Sequence, residues 1–113
     1  MTPTFKKLAH LHQSDEFLQS FCQKTLVLLN EFQSQYGEAI QHQMTNELNA
    51  ITHKISSTML WLELNDFVQL ITSYKKVRLA DRQLVEKLLD DVHYHTGEIK
   101  SVLLHKINEL SKV

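Results

Sequence analysis

Chain-breaking residues are nearly absent from this sequence, which has two glycines and one proline in 113 residues. β-Rich folds need frequent tight turns, and tight turns draw on glycine and proline for backbone conformations that other residues adopt at a cost. The chain therefore reads as all-α. Its length suits one domain and is too short for two independent cores, so residues 1–113 are expected to form a single bundle.

Apolar spacing at steps of three and four places the helices. After Pro3, the positions Phe5, Leu8 and Leu11 predict a short helix from Thr4 to His12. Ser14 is a good N-cap, with Asp15 and Glu16 in the first turn where the helix dipole favours negative charge. Phe17, Leu18, Phe21, Leu28, Leu29, Phe32, Tyr36, Ala39 and Ile40 then give a wide apolar face running to about Gln41. Gly37 lies inside this pattern, as a propensity cost of roughly 1 kcal/mol or as the mark of a close helix contact.

A polar connection, His42 to Thr45, leads to a helix capped by Thr45 or Asn46 with the seam Leu48, Ile51, Ile55, Met59 and Leu62. A bend at Trp61 to Glu63 and a cap at Asn65 or Asp66 introduce the next helix, with Phe67, Leu70, Ile71 and Tyr74 facing inward. The last helix runs from Asp81 to about Leu110 on Val85, Leu89, Val92, Thr96, Ile99, Leu103, Ile107 and Leu110. The expected architecture is an up-down four-helix bundle with a short extra N-terminal helix.

Several function classes are disfavoured by composition. Twelve Lys and Arg against 13 Asp and Glu give a formal charge of −1, with no basic stripe for nucleic acid and no polybasic run for a membrane surface. The longest apolar run, Leu26 to Leu29, is too short to span a bilayer, and the N-terminus lacks the apolar core of a signal peptide, so a cytoplasmic location is expected. Cys22 is the only cysteine, placed on a helical pattern where a small buried apolar role is expected. His93 and His95 are two apart and point to different helix faces, and no Glu-x-x-His pair is present, so no metal is expected.

One residue stands apart from the seams. His53 lies between two seam positions and points away from them, and its helical neighbours Asn49, Ala50, Ser56 and Ser57 are all short. An imidazole there would stand above a low floor with room for another molecule to approach.

The run His53-Lys54-Ile55-Ser56-Ser57-Thr58, followed in register by Leu62-Glu63-Leu64 and Phe67, resembles the histidine-containing phosphotransfer domains of two-component phosphorelays. Their motif reads His-x-hydrophobic-Lys-small-small, then hydrophobic-Gly-hydrophobic, with an exposed histidine on the second long helix. Two positions differ: Ser56 stands at the lysine and Glu63 at the glycine. The resemblance implies that His53 accepts a phosphoryl group from an aspartate of a receiver domain, in a response regulator or hybrid kinase, and passes it to another receiver.

It further implies Lys54, Ser56 and Lys75 as phosphate-supporting residues, with Lys75 hypothesised to supply the cation missing at Ser56. Asn49, Ala50, Ser57 and Leu60 would dock the receiver. No cofactor is required, because the divalent ion belongs to the receiver, and no Gly-rich ATP loop is present for self-phosphorylation. The expected protein is a monomeric carrier and not an independent enzyme. The alternative left open by Ser56 is an adaptor that binds a receiver without being phosphorylated.

Overall fold

The structure is a computed structural model in which residues 1–11 and 14–111 are described. Its elements are α1 (Lys6–Ala9), α2 (Asp15–Gln41), α3 (Thr45–Trp61), α4 (Asn65–Thr72), a 3₁₀ turn (Ser73–Lys76) and α5 (Arg82–Leu110). No strand occurs among the described residues, and none of their helices is long and apolar enough to cross a membrane. Helix α2 packs against α3 and α5, and α4 packs against the same two. The four close into an all-α bundle.

Helix starts divide into two kinds. The Ser14 hydroxyl accepts from the Phe17 amide at 3.1 Å, and Asp81 Oδ1 accepts from Gln83 and Leu84 amides at 3.1 and 3.3 Å. These satisfy donors that a helix cannot satisfy internally. Helices α3 and α4 have no side-chain cap: their N-caps are Met44 and Leu64, not the expected Thr45 or Asn46 and Asn65 or Asp66. In each case the preceding turn continues directly into the helix, so the polar residues fall one or two positions inside it. Helix α1 is also shorter than expected, and His12 lies outside the described residues.

The two turns flanking α3 share one geometry. Met44 N donates to Ala39 O at 2.8 Å and Gln43 N to Ile40 O at 3.2 Å, while Leu64 N donates to Met59 O at 3.0 Å and Glu63 N to Leu60 O at 3.0 Å. These paired bonds satisfy orphan carbonyls at a helix end and require a left-handed residue, usually glycine. Here the residues are Gln43 (φ 55°) and Glu63 (φ 59°). Glu63 is held by the hydroxyl of Thr4, whose amide also donates to Leu62 O at 2.9 Å. The N-terminal segment thus crosses the α3–α4 turn, with Leu8 buried and Phe5 beneath the Lys106 ammonium, 5.4 Å from the ring centroid.

Neither glycine serves a turn. Gly37 and Gly97 sit inside α2 and α5, and a Cβ at either would meet nothing within 4 Å, so Gly37 marks no close helix contact.

The core is built from Leu29, Phe32, Tyr36 and Ile40 of α2, Leu48, Ile55 and Met59 of α3, Phe67 and Ile71 of α4, and Val92, Ile99 and Leu103 of α5. Phe32 lies 5.0 Å from Tyr36 and 6.1 Å from Phe67, centroid to centroid. The Tyr36 hydroxyl donates to Ile71 O at 2.9 Å. Buried Thr25, Thr52 and Thr96 each donate to the carbonyl four residues earlier, which lets a hydroxyl lie within an apolar seam. On the expected faces Leu18, Phe21, Leu28, Ile51, Leu70 and Ile107 are half-buried and packed against this core, and Cys22 is buried as expected; Phe17, by contrast, is 38% exposed, and Thr25 and Thr52 take inward positions that apolar spacing alone did not mark.

Burial pushes the Cys22 thiol up to about 11 from 9.0. A raised thiol favours the folded state fully below pH 9, and that contribution is lost as the pH rises through about 11. The urea midpoint should fall more steeply across this window in wild type than in Cys22→Ala, and equal slopes would contradict the assignment. A second outcome concerns the turns. Gln43→Gly should stabilise by about 0.5–1 kcal/mol, the left-handed strain less glycine's entropy, and Gly37→Ala by about 1 kcal/mol; urea unfolding checks both.

Candidate functional site

The rotation of α3 about its axis is set by Leu48, Thr52, Ile55 and Met59, all buried against the rest of the bundle. His53 is consequently exposed at the middle of the helix, with no hydrogen-bond partner among the described residues. Asn49, Ala50 and Ser57 are exposed around it. The low floor expected from the sequence is therefore open on this surface.

The expected phosphate-supporting residues separate in space. Ser56 is half-buried and its hydroxyl donates to Thr52 O at 2.5 Å, so it is turned into its own helix. Lys54, about 100° around the helix from His53, lies in a narrow groove with Glu31 and Gln35 of α2. Lys75 follows α4 in the 3₁₀ turn and shares a groove with Thr45, Asn49 and Tyr74, one helical turn before His53. Of the three, Lys75 lies on the side where a helical side chain leans, since such chains cover the surface N-terminal to their own Cα.

Tyr74 is 2% exposed, and its hydroxyl donates to Oδ1 of exposed Asn49. Its ring also stands edge-on to Tyr36 at 6.5 Å, so the aromatic core reaches up to the surface beside α3. Burial and the neighbouring Tyr74 hydroxyl raise the Tyr36 phenol well above its usual range.

Beyond His53 the surface becomes apolar. Leu60 is 41% and Trp61 42% exposed, and with Ser57 they line a groove completed by Lys7 of α1. The Lys7 ammonium donates to Leu60 O at 3.3 Å, near the carbonyl end of α3. On the other side, Ala50 lies with Ile51, Met44 and Ala39 in a shallow groove rimmed by Glu38 and Glu47. Sequence reasoning missed Trp61 and Lys7 as parts of this surface. Trp61 lies eight residues after His53, within its helical stripe, and could have been found; Lys7 lies far away in the chain and could not.

Two histidines of α5 are engaged by neighbouring side chains. His93 Nδ1 lies 2.8 Å from Gln33 Nε2 on α2, whereas His95 Nδ1 lies 2.6 Å from Glu98 Oε1 on its own helix. Among the described residues no three His, Cys, Asp or Glu side chains gather as a metal site. No protein-family model, curated protein sequence or solved structure gives a significant match to the chain.

Proposed function

We propose that this chain is a phosphoryl carrier, in which His53 takes a phosphoryl group from an aspartyl phosphate of a receiver domain and returns it to a second receiver. The observation that carries the reading is His53 itself, exposed at mid-helix on a four-helix bundle and unpaired among the described residues, with short side chains around it. The resemblance of residues 53–67 to phosphotransfer domains points the same way.

The chemistry needs little from the carrier. An unprotonated imidazole nitrogen attacks phosphorus, an N–P bond forms, and the P–O bond to the donor aspartate breaks with its electron pair left on the carboxylate. The other ring nitrogen can release its proton to water, and reversal onto a new aspartate restores the imidazole. The receiver contributes its divalent ion and acidic residues, so the carrier requires no cofactor and is not an enzyme on its own. It would work as a monomer in the cytoplasm, where receivers reside.

Lys75 supplies positive charge beside Asn49 in place of the lysine absent at position 56. Asn49, Ala50, Ser57 and Leu60 form the landing surface for the receiver, extended by Trp61. A second reading is favoured by Ser56, whose hydroxyl is committed to Thr52 O: a domain that binds a receiver and carries no phosphate.

Receivers from the organism of origin, phosphorylated on aspartate with labelled phosphate, should transfer label to the wild type in acid-labile, base-stable form and not to His53→Gln. Receiver binding without label would establish the adaptor, and neither binding nor label would remove both readings. Ser57→Trp should abolish transfer while leaving stability within about 0.5 kcal/mol, as expected for an exposed site; transfer at the wild-type rate would overturn this docking surface.

A further inference from the structure

We infer that Asn49 is a phosphoryl-binding residue of this site, with its side-chain amide aimed by the buried hydroxyl of Tyr74. The inference rests on the carrier reading and assigns the donor that holds the loaded group.

An asparagine side chain has one carbonyl acceptor and one amino group with two donors. Tyr74 lies beneath the surface and donates to Oδ1 of Asn49, which is itself exposed. With the carbonyl end turned toward Tyr74, the amino end is directed away from it, toward the open surface. Tyr74 is fixed in turn by its burial and by its edge contact with Tyr36, so the amide has a defined orientation before any ligand arrives.

Position 49 is one helical turn before position 53, a rise of about 6 Å. A helical side chain covers the turn N-terminal to its own Cα, so a phosphoryl group on the His53 ring would stand over the Asn49 level. Lys75 lines the same groove as Asn49 and Tyr74. The groove therefore offers an N–H donor and an ammonium side by side, in a place where the Ser56 hydroxyl is occupied elsewhere. Hydrogen bonds to an anion are stronger than those between neutral groups, so one preset amide is a useful substitute for part of a missing lysine.

Phosphoramidate is a suitable probe, because it needs no partner protein. Its P–N bond breaks as the His53 N–P bond forms, ammonia departs, and the ring proton goes to buffer. Asn49→Asp keeps an acceptor for Tyr74 and replaces the donors with a negative charge. It should leave the urea midpoint unchanged and lower loading of His53 by about tenfold or more, the effect of losing one hydrogen bond to a charged group. Tyr74→Phe frees the amide and should lower loading less. In wild type the Asn49 side-chain amide proton signals should move on loading, and in Tyr74→Phe they should move less, a signature that a purely structural role would not produce.

If wild type loads on His53 and Asn49→Asp loads at the same rate, with unmoved amide signals, the Asn49 assignment is overturned and the carrier reading stands. If wild type takes label neither from phosphoramidate nor from phosphorylated receivers, both fall together.

Discussion

The orientation of α3 decides what this protein presents to its surroundings. Leu48, Thr52, Ile55 and Met59 are each at most 3% exposed, and they pin the helix between α2 and α4. Rotating it by one residue would bury His53 and expose a seam position. Burying several aliphatic side chains is worth a few kcal/mol each, far more than any polar group on the outer face could recover. The exposed face is thus a by-product of the buried one, and Asn49, Ala50, His53 and Ser57 occupy it together.

Both ends of α3 are held by backbone more than by side chains. The turns at Gln43 and Glu63 use the left-handed conformation without glycine, and each returns two amides to the closing carbonyls of a helix. Left-handed backbone at a residue with a side chain is unfavourable. The turn at Glu63 has a second anchor, because Thr4 binds its carboxylate and Thr4 N binds Leu62 O. The segment before α2 is therefore part of the bundle's lid over the α3–α4 turn and brings Lys7 to the edge of the outer surface.

The polar groups near His53 come from more than one element. A serine at position 56 donates to its own helix and leaves the position electrostatically neutral. Lys75, from the 3₁₀ turn after α4, lies beside Asn49 instead, and the buried Tyr74 links that surface to the aromatic core through Tyr36. Positive charge at this face comes from neighbouring elements, carried there by the packing of α4 against α3.

Much of this was legible in the sequence. The apolar period determined the extents of α2, α3 and α5, Ser14 and Asp81 marked the caps of α2 and α5, the scarcity of glycine and proline argued against strands, and the outward direction of His53 followed from the seam, because all of these are local properties of a chain with 3.6 residues per turn. Local reasoning placed both turns, at 42–45 and 61–63, but misassigned what closes them: the starts of α3 and α4 have no side-chain cap, and the left-handed residues are Gln43 and Glu63 in place of glycine. Only the tertiary structure decided that Tyr74 meets Asn49, 25 residues away, that Lys75 lies beside Asn49, and that Lys7 reaches Leu60 across 53 residues. Such contacts depend on how helices cross and where turns end. Those are set by the packing of the whole core and by no single stretch of the chain.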